Sequence, residues 1–291
     1  MTKSKIYANG AALRRALEDR LASAAITEKK PIQRLRRQVA SDRLLARLFS
    51  EKFSPWVLKG GYAMELRVGN ARGTRDIDLA VKEKTFFSDD PKKVNAAILA
   101  EIRQRASLDL KDYFVFVISD PIMDLNAAPY GGVRFHVEAQ MNERTFEKFH
   151  LDVGIGDIWI EPQEKITGPN WLEFAGISSV PVMMIPYEQQ FAEKIHAYTL
   201  PREGRVNSRV KDLVDLVLLI DSKRLNNDLL KKALSSTFER RKTHSVPRDF
   251  PPPPEGWKEM YAQLAKECHL DTNMQSACDL IKSFLIPVLI S

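Results

Sequence analysis

The sequence predicts an α+β fold in two lobes: a mixed α/β lobe with a small sheet over residues 1–180, and a helical lobe over 181–291. Three observations predict it. Short apolar or alternating runs at 56–58, 76–81, 113–118, 133–140 and 149–153 have the texture of strands and stop before residue 180. Beyond Pro181, five runs carry the 3.6-residue period of amphipathic helices. The 291 residues, 44% apolar and 28% charged, suffice for two modest cores and match an ordinary globular composition.

The elements follow in order. Residues 11–24 place Leu13, Leu17 and Leu21 on one helix face. Pro31 suits the first turn of a second helix that runs to Phe49, with Leu35, Val39, Leu44, Leu45 and Leu48 inward. Arg34, Arg36, Arg37, Arg43 and Arg47 are expected on its outer side, either as a solvated face or against a phosphate backbone. Trp56-Val57-Leu58 reads as a short buried strand ending at Lys59-Gly60-Gly61, and a short helix over 62–68 follows. Residues 70–73 form a loop, 76–81 a strand and 91–106 a helix. From 133 to 140 the chain alternates, with Val133, Phe135, Val137 and Ala139 against Arg134, His136, Glu138 and Gln140. Phe149, Leu151 and Val153 repeat the pattern, so the two runs form an antiparallel hairpin. Helices are expected over 187–200, 208–220, 228–240, 257–268 and 273–289, and four consecutive prolines from Pro251 make a stiff extended segment.

Bulk properties exclude some functions. No apolar run is long enough to cross a bilayer, and the polar N-terminal residues 1–5 lack a signal peptide. Cys268 and Cys278 make no disulfide framework, which points to reduced thiols and the cytoplasm, with no membrane. A net charge of +6 and a pI near 9.2 permit a polyanionic partner and equally describe a solubilising surface.

The chemistry concentrates around Asp76-Ile77-Asp78. Residues two apart on a strand share a face, so both carboxylates project together while Ile77 and Leu79 bury. Such a pair repels itself unless a cation intervenes, and hard divalent cations take oxygen ligands shared with substrate phosphates. Gly60-Gly61, between a strand and a helix, lets the backbone approach a phosphate. Asp152 has the same apolar–Asp–apolar setting as Asp78, and is the third metal ligand if its strand neighbours that of Asp76. A lone D-x-D or Gly-Gly is common; their order here is the informative feature. Farther on, Lys194 sits at the edge of an apolar stripe, as a phosphate-neutralising group or a snorkelling lysine. Asp212 and Asp215 share a helix face; Asp212 suits a general base, an anchor for Lys194, or a pair for Arg209 or Lys211.

Gly60-Gly61 with Thr74-x-Asp76-x-Asp78 resembles the metal and phosphate motif of the DNA polymerase β-like nucleotidyltransferase superfamily. A closer resemblance is to the AbiEii/AbiGii toxin family, which includes the MenT toxins. It is carried by Leu58-Lys59-Gly60-Gly61, by Arg72-Gly73-Thr74-Arg75-Asp76-Ile77-Asp78, by Glu193-Lys194-Ile195-His196-Ala197 and by Arg209-Val210-Lys211-Asp212-Leu213-Val214-Asp215-Leu216. Phe238, Arg241, His244, the proline run and Trp257 fit its tail, so the resemblance spans most of the chain. It implies a bilobed nucleotidyltransferase fold and a toxin that transfers a nucleotide from an NTP with Mg²⁺, or Mn²⁺, to an RNA acceptor. In the MenT branch the acceptor is the 3′ end of tRNA. By motif, Asp76 and Asp78 are metal ligands with Asp152 beside them, Lys194 binds phosphate and Asp212 is catalytic. Lys59, Gly60, Gly61, Thr74, Arg75 and Arg241 make up the nucleotide- and phosphate-binding set, and Thr74 is a position open to regulatory phosphorylation. A cognate antitoxin, AbiEi-like or kinase-like, is the implied protein partner. An enzyme modifying a protein or small molecule would share these metal residues. A non-catalytic binding module would not require the paired carboxylates.

Overall fold

A computed structural model describes residues 6–51, 53–81, 86, 88, 90–125, 128–202, 204 and 207–290. The polar N-terminal stretch 1–5 lies outside the described residues. Among them are nine α-helices and eight strands, and no helix is long and apolar enough to cross a membrane. The chain divides into two compact units that alternate along the sequence. The first comprises Met1–Leu58, Arg75–Gly156 and Lys165–Met183; the second comprises Lys59–Thr74, Asp157–Glu164 and Met184–Ser291.

The first unit carries a mixed sheet. Helix α1 (Gly10–Glu28) starts at Asn9, whose side chain accepts from the Ala12 N–H, and buries Leu13, Leu17 and Leu21. Helix α2 (Ile32–Leu48) and helix α4 (Pro91–Ala106) pack beside each other. The strands are β1 (Val57–Lys59), β2 (Asp76–Val81), β3 (Phe114–Ile118), β4 (Met123–Asp124), β5 (Gly132–Met141), β6 (Arg144–Ile155), β7 (Glu164–Thr167) and β8 (Pro181–Met184). They run in the order β3-β5-β6-β2-β1-β8-β7, with β4 on β5. The expected hairpin is present: β5 and β6 are antiparallel, and their two-residue turn holds Asn142 and Glu143 at positive φ. Strand β2 adds parallel to β6, opposite Asp152. The sheet is wider than the five strand-like runs indicated, because β4, β7 and β8 have no alternation of their own to advertise them.

Arg43 and Arg47 depart from the expected outer face of α2. Arg47 is 1% exposed and grips both oxygens of the fully buried Asp112 at 2.7 and 2.9 Å, and Arg43 reaches the same carboxylate at 2.6 Å. Burial raises the affinity of Asp112 for a proton, and the two guanidinium groups more than offset it, so its pKa is lowered. Arg36 behaves as expected, pairing with Glu18 at a half-exposed position.

The second unit contains α3 (Gly60–Arg67), α5 (Tyr187–Thr199), α6 (Val210–Asp221), α7 (Asn227–Arg241), α8 (Lys258–Glu267) and α9 (Met274–Ile290). Phe191, Ile195, Leu213, Leu216, Leu234, Phe238 and Ile281 are central in its core. The proline segment is irregular and anchored: Phe250 stacks on Tyr198, whose hydroxyl donates to the Pro251 carbonyl at 3.1 Å.

Candidate active site

In the first unit, strand register assembles a charged face. Ile77 and Leu79 are buried, which turns Asp76 and Asp78 to the other side of β2. Asp78 is opposite Asp152 on β6, and Asp152 is opposite Arg134 on β5. Asp76 is opposite His150, which is opposite His136. Arg134 donates Nε and Nη2 to the two oxygens of Asp152 at 2.7 and 2.6 Å, and its Nη2 lies 3.9 Å from Asp76. The hydrogen bonding to Asp152 outweighs burial and raises the pKa of Arg134, with Asp76 and Asp78 adding to it. His150 Nδ1 is 3.0 Å from Asp76 Oδ1, and the two imidazole rings lie 4.7 Å apart. Arg75 is exposed at the entry to β2, and its carbonyl accepts from the His150 N–H.

Whether these residues suit a divalent cation is a question of donor chemistry. Among the described residues, no group of three or more His, Cys, Asp and Glu side chains is gathered as a cage. Mg²⁺ in phosphoryl-transfer sites is commonly held by one or two carboxylates plus substrate oxygens, so a cage is not required. Asp76 and Asp78, hard oxygen donors on one half-exposed strand face, fit that pattern. Asp152, the expected third ligand, has both oxygens engaged by Arg134.

The second unit holds the other sequence-derived residues. Gly60 has a φ of +67°, a region that favours glycine. A Cβ on Gly61 would lie 2.9 Å from Thr74 Oγ1, so the glycine allows Thr74 to press against the start of α3. Glu65 of α3 accepts from the Thr74 N–H, and Gln190 donates to the Gly60 carbonyl at 2.7 Å. Together these contacts fix the Gly-Gly turn.

Two ion clusters lie nearby in the same unit. Lys194 is 7% exposed and donates to Asp215 at 2.5 Å and to Asp212 at 3.2 Å. Arg72 grips both oxygens of Asp215 at 3.1 and 2.8 Å, and Arg209 approaches Asp212 at 3.6 Å. In the other cluster, Lys59 pairs with Asp157 and lies 3.4 Å from Glu193, while Arg241 reaches Asp157 at 2.9 Å and Glu193 at 3.9 Å. Burial works against the charges of Lys59, Lys194, Arg72, Arg241, Asp157 and Asp215. The opposite charges prevail: Lys59, Lys194, Arg72 and Arg241 are shifted up, and Asp157 and Asp215 down. Lys194 is therefore a buried lysine held by two carboxylates and not a snorkelling surface lysine. Asp212 takes both suggested partners, Lys194 and Arg209.

Sequence reasoning did not single out Arg134, His150, Arg72, Asp157 or Glu193. Arg134 was readable only as one polar residue of an alternating strand. Its carboxylate partner lies 18 residues away across the hairpin. Asp157 has no patterned neighbours, and a lone aspartate after a strand carries no signal.

A family profile described as nucleotidyl transferase AbiEii toxin, type IV TA system, matches residues 43–281. Among solved structures, MenT4, a nucleotidyltransferase toxin of Mycobacterium tuberculosis, superposes with a TM-score of 0.56 at 15% identity, covering 94% of this chain and 98% of that one. JHP933 from Helicobacter pylori gives a TM-score of 0.47 at 16% identity, covering 89% and 98%. No curated protein sequence matches. The likeness to MenT4 is one of fold.

Proposed function

Because this chain belongs to the nucleotidyl transferase AbiEii toxin family of type IV toxin–antitoxin systems, we propose that it moves a nucleoside monophosphate from an NTP to an RNA acceptor, the 3′ end of tRNA, in the cytoplasm. The family implies an antitoxin partner. Transfer to the 3′-hydroxyl would block aminoacylation and so arrest translation. The observation that carries the reading is the pairing of Asp76 and Asp78 on one half-exposed face of β2.

Asp76 and Asp78 hold Mg²⁺, with Mn²⁺ as a substitute. Such a cation, when bound, neutralises triphosphate charge and acidifies an attacking hydroxyl. In the transfer, the acceptor oxygen bonds to the α-phosphorus, pyrophosphate leaves with the bonding pair, and the hydroxyl proton passes to a carboxylate. His150 orients Asp76 through its 3.0 Å contact. Lys194 and Asp212 take the phosphate-binding and catalytic roles that the motif resemblance supports. To contact a phosphate, Lys194 exchanges an Asp212 or Asp215 oxygen for a phosphate oxygen, a like-for-like replacement of one anion by another. Lys59 and Arg241 are so deeply engaged with Asp157 that their first role is to hold that cluster. Thr74, pressed against Gly61, is the candidate control point.

The test is incubation with total tRNA, Mg²⁺ and each labelled NTP in turn. Label is expected on RNA, lost on ribonuclease treatment, and absent when the tRNA 3′ end is oxidised. Label that survives ribonuclease on protein, or that appears on a small molecule, overturns the tRNA acceptor and leaves nucleotidyl transfer standing.

A further inference from the structure

The rung Asp78–Asp152–Arg134 places a guanidinium beside carboxylates that would otherwise repel one another. Arg134 meets Asp152 as a fork, one N–H to each oxygen at 2.7 and 2.6 Å. Those are the two oxygens that a chelated cation would need. Asp152 is 8% exposed, so this contact is sheltered from water, whereas Asp76 and Asp78 are half-exposed. Arg134 also lies 3.9 Å from Asp76, so the charge it brings bears on a second member of the group.

Resting on the reading that Asp76 and Asp78 hold the divalent cation, we propose that Arg134 is a positioning residue that keeps Asp152 off that cation. The guanidinium occupies both Asp152 oxygens, so that Asp76 and Asp78 meet the metal without it. A cation held by two carboxylates retains open positions for triphosphate oxygens. A third carboxylate would bind it more tightly without nucleotide and close one of those positions. The arrangement thus makes cation binding weak until the NTP contributes its own ligands.

The test is Mn²⁺ affinity of the full chain, without nucleotide or acceptor, measured by the electron paramagnetic resonance signal of unbound Mn²⁺. Arg134→Gln releases Asp152, and is expected to tighten Mn²⁺ binding by about tenfold or more, the scale on which partners of metal ligands act. Arg134→Gln with Asp152→Asn is expected to return to the wild-type affinity. Lys148→Gln is the charge control: it removes a positive charge from β6, where Lys148 pairs with Glu138 at 3.0 Å, without releasing Asp152. It is expected to change the affinity less than about twofold, since exposed charges are well screened. Arg134→Lys, which keeps the charge and loses the fork, should fall between wild type and Arg134→Gln, and serves if the glutamine variant does not fold. Equal affinities in wild type and Arg134→Gln, or an equal gain in Lys148→Gln, overturn the inference. Asp76→Asn separates it from the reading beneath: if that variant binds Mn²⁺ as wild type does, the metal assignment itself fails.

Discussion

On neighbouring strands of the first unit, Arg134 pairs with Asp152 and lies 3.9 Å from Asp76, and Asp78 stands opposite Asp152 in register. In the second unit, Asp212 and Asp215 meet Lys194 and Arg72, and Asp157 and Glu193 meet Lys59 and Arg241. The strand face is half-exposed, whereas Asp157, Lys194 and Asp215 are buried against opposite charge. A half-exposed carboxylate stays within reach of solvent and can be changed at little cost to the fold. A buried ion cluster instead leaves an uncompensated charge behind when a member is removed. Burial of a charge therefore predicts where removing a side chain costs the fold, whether or not that side chain also takes part in the reaction.

The largest effect expected from this contrast is on activity. Asp76→Ala should lower nucleotide transfer on the order of a thousandfold or more. Its melting temperature should change little, because the carboxylate is half-exposed. Transfer and thermal melting on the same preparation check both halves. Transfer above a tenth of wild type would remove Asp76 from the reaction.

Asp215→Ala should do the reverse, acting first on the fold. It strands Arg72 in a buried setting and leaves Lys194 with Asp212 alone, at a cost of about 3–5 kcal/mol. For a chain of this size that lowers the melting temperature on the order of 10 °C. Lys194→Ala should lose stability as well as transfer, since Asp215 keeps Arg72 alone. A Lys194→Ala protein that melts like wild type would show that its burial does not make it structural.

The reasons some of this was legible in the sequence are physical. Strand β2 and helix α4 are readable to the residue because their periods are local: Ile77 and Leu79 alternate with the two aspartates, and Asp90-Pro91 marks a helix start. Alternation likewise predicts the β5–β6 hairpin. The same-face placement of Asp76 and Asp78 follows from the strand period alone. Which residues meet them does not, because Arg134 and His150 arrive through pairing of strands more than fifty residues apart in sequence. Arg43 and Arg47 show the opposite failure. Charged residues on a helix are read outward by default, and the buried Asp112 that draws them in carries no local pattern.

A smaller effect tests the buried side through pH. His196 is buried against Phe238 and His244, and burial, aided by Arg241 and His244, pushes its pKa down to about 3. The unfolded chain protonates this imidazole near the ordinary value of about 6.5. A folded pKa below the unfolded one gives stability that is full above about pH 6.5 and is lost as pH falls toward 3. By pH 5 the loss reaches at most about 2 kcal/mol. His196→Gln should melt below wild type at pH 7, and the gap should narrow at pH 5. A gap that stays constant across that range would show that the imidazole titrates alike in both states.

The smallest effect isolates burial from balance. Arg36 and Glu18 form a balanced pair, with Nη2–Oε2 at 2.8 Å, on the half-exposed side of α1 and α2. Their side chains keep 32% and 24% of their exposure, so water and salt screen the attraction that a buried pair would feel in full. Arg36→Ala should therefore cost less than about 1 kcal/mol, and less still in 0.5 M salt. Arg47→Ala, on the same helix but 1% exposed against Asp112, should cost about 3–5 kcal/mol. If Arg36 contributes to RNA binding, its loss should also reduce the dependence of tRNA affinity on log salt by about one counterion's worth. The decisive measurement is the ratio of the two stability losses by chemical denaturation. A ratio near one would mean that balance alone sets the cost, and the distinction drawn between the two units would lose its basis in burial.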